Sequence, residues 1–149
     1  MTSNVGTETI MSLCQDPELI PEPKGLRAAI QDDLLKVFKP AFLGRINIIP
    51  YSPLSKSRLA EIASIQLMHV AERLQMHHSM TLDYSDDVIG YLVTQCQDAG
   101  RGARQILEII QHELLNRLST EILKRTFESD VLHAARLSIK DNCIQVDIN

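Results

Sequence analysis

The sequence predicts an α+β fold, and three observations lead to it. Apolar residues recur at helical spacing through two long stretches, 55–78 and 102–126. Short alternating runs, "MTLDYS" and the closing "HAARLSIKDNCIQVDIN", have the period of strands. Prolines at 17, 21, 23, 40 and 50, with Pro53 behind them, confine the punctuated part of the chain to its first third. The chain therefore divides into residues 1–53 and 54–149.

In the first part only short elements fit between the stops. "TSNVG" has the form of a strand end running into a turn. "TETIMSLCQ" reads as a short helix with Thr7 as its N-cap. "KGLRAAIQDDLLKVF" reads as a single helix, with Leu26, Ala29, Ile30, Leu34 and Val37 or Phe38 near helical spacing. "INIIPY" is β-branched and reads as a buried strand. Two strand fragments do not make a sheet, so this part has edges that call for other strands alongside.

The second part reads as α-β-α-α-β-β. Ser55 caps a helix whose apolar side is marked by Leu59, Ile62, Ala63, Gln66, Val70, Arg73 and Leu74; Arg58 stands where a capping box favours Glu. Ser85, Asp86 and Asp87 suit the start of a helix through Gln97. From Gly102 to about Thr126 one long helix carries Ile106, Ile110, Leu114, Leu118 and Ile122 at four-residue steps. The last residues form a hairpin around "KDN".

Composition sets outer limits. With 149 residues, 44% of them hydrophobic, there is enough material for an ordinary core. The net charge of −4 argues against non-specific nucleic-acid binding, which depends on neutralising phosphates. Cys14, Cys96 and Cys143 show no paired spacing and read as reduced thiols of a cytoplasmic protein. No signal peptide is evident, and no run approaches the ~20 apolar residues of a membrane span. No partner is therefore expected among nucleic acids or membranes.

Several motifs of site chemistry are missing. The chain has no GxxxxGK[ST] phosphate loop and no GxSxG. "HELLN" at His112 has Asn116 where a zinc helix needs its second His, and His77 and His78 diverge on a helix. Three places hold more chemistry. Asn4 stands at a strand tip, where α/β sheets bind ligands, or is a plain turn asparagine. Arg45, between an apolar run and a strand, is a fixed phosphate fork or a surface ion-pair partner. Arg104 follows Gly102 and Ala103 in the first turn of a helix, with Gly100 and Gly102 allowing a tight turn before it. A cation there opposes the helix dipole, which fits either a shared anionic ligand or an acidic tertiary neighbour.

In this order and spacing the three resemble the second half of an AAA+ ATPase module, specifically the second ATPase ring of the Clp/Hsp100 unfoldases. "TSN" is similar to the first sensor motif, "FKPAFLGRI" to the arginine-finger segment, and "GAR" to the second sensor. Gly44 and "INIIPYSPL" depart from the disaggregase pattern. Together with "TSNVGTETIMSLCQDP", "PEPKGL" and "LLKVFKPAFLGR", they resemble the ClpV branch of type VI secretion.

The resemblance implies that residues 1–53 are the end of the large nucleotide-binding subdomain and 54–149 the mostly helical lid with a small sheet. It implies ATP and magnesium as cofactors of a full-length bacterial homohexamer, with neither held tightly by these residues alone. Asn4 would orient the attacking water, Arg45 would reach the neighbouring subunit's γ-phosphate, and Arg104, with Gly102 and Ala103, would hold nucleotide in cis. Sheath proteins of type VI secretion would be the substrate, engaged by parts outside this chain. The phosphate loop and magnesium motif lie upstream in that family, so the chain reads as a C-terminal piece that should not hydrolyse ATP alone. Rival readings are a ClpB-like disaggregase and a free-standing, non-enzymatic interaction module. A third is a structural role, in which the piece self-associates through a lid face left without its neighbour. Unpaired strand edges in residues 1 to about 50 would drive dimerisation or domain exchange of the piece.

Overall fold

Proline and glycine place the helix boundaries in the first fifty residues. The computed structural model describes residues 1–16, 19–96, 102–127 and 132–149. The chain divides into two compact units, Met1–Pro53 and Leu54–Asn149. In the first, α1 (Thr7–Leu13) follows Gly6, whose φ of 80° and ψ of 7° suit the third position of a type II turn. Thr7, the expected N-cap, is instead the first helical residue, and its hydroxyl donates back to the Asn4 carbonyl at 2.7 Å. Helices α2 (Pro23–Ala29) and α4 (Pro40–Leu43) both open on proline, whose missing N–H would have no helical acceptor there.

The single helix expected over 24–38 breaks at Ile30, where φ is −88° and ψ is 0°, and resumes as α3 (Gln31–Val37). Leu26, Ile30 and Leu34 stay buried on one side, so the kink preserves the apolar face. The turn at Gly6 packs closely on the kink: a Cβ added at Gly6 would lie 2.9 Å from Ile30 Cβ. Thr9 Oγ1 donates to Asp33 Oδ2 at 2.5 Å, linking α1 to α3. Residues 2–6 and 46–51, both expected as strands, carry no ladder. A strand is stable only with a paired neighbour, and the only sheet among the described residues belongs to the second unit.

That unit is built on α5 (Lys56–His78), with the Ser55 hydroxyl accepting from the Arg58 N–H at 3.3 Å. Its buried positions are Leu59, Ala63, Leu67, Val70 and Leu74, so Leu67 replaces the expected Gln66 and Arg73 is exposed. Ser79 ends the helix in the left-handed region, and Met80 drops fully buried into the core ahead of β1 (Thr81–Tyr84). Helix α6 (Asp86–Gln95) has Ser85 at its N-cap, although the hydroxyl makes no cap bond. The expected share of Gln97 in this helix, and of Gly100 in the next turn, lies outside the described residues.

The expected long helix is α7 (Ala103–Ile109), a π-helical segment (Ile110–Leu114) and α8 (Leu115–Phe127). The π turn has a physical reason. At 3.6 residues per turn, a four-residue step advances about 40° around an α-helix, so five apolar residues so spaced would wind off the core. One wider turn, bonded i to i+5, winds back by a similar angle. Ile106, Ile110, Leu114, Leu118 and Ile122 are accordingly all buried.

Strands β2 (Ala134–Lys140) and β3 (Cys143–Ile148) form the hairpin, turning at Asp141 and Asn142 with φ of 51° and 55°, as a type I′ turn needs. The sheet order is β1-β2-β3, with β1 parallel to β2 and β2 antiparallel to β3. Leu82, Ala135, Leu137, Ile144 and Ile148 pack with the helices in one core. Among the described residues no helix is long and apolar enough to cross a membrane.

Candidate functional site

Asn4 sits in the turn before α1. Its carbonyl accepts from the Thr7 N–H at 3.2 Å as well as from the Thr7 hydroxyl, while the Val5 N–H donates to Ser3 Oγ at 3.2 Å. Local bonds therefore hold the backbone at Asn4, and its exposed side-chain amide makes no hydrogen bond among the described residues. Glycine is needed two residues on because only that residue readily takes a φ of 80°.

Arg45 follows α4, and its N–H donates to the Phe42 carbonyl at 3.0 Å. Phe38 and Phe42 rings, 5.5 Å apart, anchor the segment behind it. A cavity of about 260 Å³ beside it is lined by Leu34, Pro40, Leu43, Gly44 and Ile48. The Arg45 side chain is exposed and pairs with no carboxylate among the described residues.

Gly102 caps α7 with φ 48° and ψ −129°, a conformation L-residues rarely adopt. Its carbonyl accepts from the Gln105 N–H at 3.1 Å, and Gln105 Nε2 donates to the Gln95 carbonyl at 2.8 Å. Gln105 thus ties the start of α7 to the end of α6. Ala103 is half-buried, and Arg104 projects from the first turn, exposed and without an ion pair among the described residues. Asn4 and Arg45 belong to the first unit; Gly102, Ala103 and Arg104 are contiguous in the second. Each place presents exposed donors with no anionic partner among the described residues, and such donors suit phosphate oxygens.

Farther along, the π segment carries His112 and Glu113, and Tyr91 Oη donates to Glu113 Oε2 at 3.4 Å. Burial, then the Glu113 charge, raises the Tyr91 pKa. Asn116 Nδ2 returns to the His112 carbonyl at 2.8 Å, so "HELLN" is tied into its own helix. No cluster of three metal-ligating side chains occurs among the described residues.

The family described as the C-terminal, D2-small domain of ClpB protein matches residues 54–134. The chain belongs to this family. Outside the D2-small match, likeness to relatives continues. The AAA+ ATPase ClpV1 of Pseudomonas aeruginosa is 39% identical over 147 residues, 99% of this chain and 16% of that protein. The chaperone protein ClpB of Yersinia enterocolitica is 41% identical over 124 residues, 83% of this chain and 14% of that one. The chain thus spans about a sixth of the length of these curated relatives. A closed-state cryo-EM structure of Hsp104 with ATPγS and FITC casein superposes with a TM-score of 0.73 at 23% identity. It covers 98% of this chain and 24% of the Hsp104 chain, and shows the shared fold.

The D2-small match thus falls on the helical unit with its small sheet. Within it, the sequence marked Gly102, Ala103 and Arg104 but not Gln105. A side chain bonded to a carbonyl ten residues away leaves no periodic signal.

Proposed function

We propose that this chain supplies the sensing and lid elements of a ClpV-like AAA+ ATPase, a homohexamer that uses ATP hydrolysis to disassemble the contracted sheath of type VI secretion. The observation that carries this reading is the 39% identity to ClpV1 along 99% of the chain, through both units. Residues 1–53 are the end of the large nucleotide-binding subdomain and 54–149 its lid. In this reading Asn4 orients the attacking water. Arg45 crosses the subunit interface to the neighbour's γ-phosphate, and Arg104, at the Gly102–Ala103 turn, grips nucleotide in its own subunit. Bound ATP supplies the phosphates and magnesium their charge neutralisation. The chain has no GxxxxGK[ST], so its residues hold and sense phosphate around a cradle formed by other segments.

A second reading, a ClpB-like disaggregase, is favoured by the 41% identity to ClpB of Y. enterocolitica over 124 residues. The two separate on substrate. An ATPase carrying this chain is expected to break up contracted sheaths, followed by light scattering, and to leave heat-aggregated enzyme inactive. Reactivation of the aggregate with no action on sheaths would replace the first reading with the second.

A further inference from the structure

Strand β1 lies at the edge of the sheet, with β2 on one side and no strand beyond it among the described residues. Thr81 donates to the His133 carbonyl at 3.0 Å, and the parallel register pairs Thr81 with Ala134 and Asp83 with Arg136. In a parallel ladder alternate residues bond to alternate sides. The N–H and C=O groups of Leu82 and Tyr84 therefore point away from β2, along the open edge.

A groove of about 610 Å³ runs beside that edge, between it and the last turns of α5. Its apolar wall is Ala71, Met76, Met80 and Leu82, and Glu72 stands at its rim. Met76 is 71% exposed although it lies in line with this wall, and Ile65 and Met68 extend the apolar surface up α5. A strand lying against β1 would send every second side chain inward to this groove and the others outward beside Asp83, which is exposed. Inward positions would thus meet apolar surface, and outward or rim positions would meet Asp83 and Glu72. Arg136, the register partner of Asp83, lies on the β2 side.

We propose that the β1 edge and the α5 groove receive an extended segment of a partner polypeptide, with aliphatic residues alternating with lysine or arginine, as an added strand. Main-chain bonds to Leu82 and Tyr84 supply the pairing, Met76 and Leu82 seat the aliphatic side chain, and Glu72 and Asp83 select positive charge over negative. The edge is four residues long, so the segment recognised is short.

The test uses the 149-residue chain and a dye-labelled, end-blocked hexapeptide of alternating lysine and valine. Saturable binding by fluorescence anisotropy is expected, weakened about tenfold or more by Glu72→Lys and by Met76→Glu. Both side chains are exposed, so both variants should keep the fold. Amide signals of Leu82 and Tyr84 should shift on binding and gain protection from exchange. Equal binding of a lysine–serine hexapeptide, which offers charge without aliphatic side chains, would overturn the proposal. So would unmoved Leu82 and Tyr84 signals at saturation, or self-association of the chain through this edge.

Discussion

Gly6 is the residue where sequence and conformation are most tightly joined. Its φ of 80° disfavours any side chain, and a Cβ would stand 2.9 Å from two atoms of Ile30. Gly6→Ala is expected to cost the first unit roughly 1–3 kcal/mol, seen as faster hydrogen exchange in α1 and α3. Asp33 gives a pH-dependent counterpart. The Thr9 hydroxyl, and secondarily Lys36, hold its pKa below the ordinary 3.8. A depressed carboxylate pKa stabilises the fold above the unfolded value, and the contribution is lost as pH falls through the folded one. In Thr9→Val the Asp33 carboxyl, followed by NMR, should titrate nearer 3.8. At this scale the sequence reveals residue types better than partners. Asn4, Arg45 and Arg104 could be picked out because their neighbours form motifs, whereas Gln105 could not, because its acceptor at Gln95 is set by tertiary packing.

At the scale of elements, the apolar steps in 102–126 contained more than the helix read from them. Four-residue spacing held through Ile122 requires either drift off the core or a wider turn, and the π segment at Ile110–Leu114 is that turn. Deleting Gln111 shortens the Ile110–Leu114 step to three residues, which on an α-helix winds back by about 60°. The segment should therefore become regular α-helix, with Leu118 and Ile122 still on the core and the melting temperature of the second unit little changed. Leu114→Ala, at a fully buried position in the same segment, should cost about 2–5 kcal/mol in urea unfolding. Ser79→Gly should act in the opposite direction. Ser79 holds φ 55° at the end of α5, and glycine there is expected to add about 0.5–1 kcal/mol. The sheet elements of the second unit were legible because alternation and the Asp141–Asn142 turn agree. The runs at 2–6 and 46–51 have strand composition but no ladder, because pairing depends on neighbours that composition does not supply.

For the whole molecule, the α+β class followed from patterning alone, and the division at Pro53 from the clustering of prolines. The roles of the exposed donors follow from neither. They rest on the order of three short motifs and on likeness to ClpV1 through both units. The central claim is that Arg45 acts on a neighbouring subunit's phosphate while Asn4 and Arg104 act within their own. It is tested most directly by magnesium-dependent ATP hydrolysis in rings where this chain follows the nucleotide-binding core of ClpV1, with Arg45 intact or replaced by alanine. Ring assembly and ATP binding are checked in both, and the 149-residue chain alone serves as the blank. The account predicts turnover in the first ring, a loss of roughly 10³–10⁵-fold in Arg45→Ala with assembly and binding retained, and none in the blank. Assembled Arg45→Ala rings that turn over at the unsubstituted rate would contradict it.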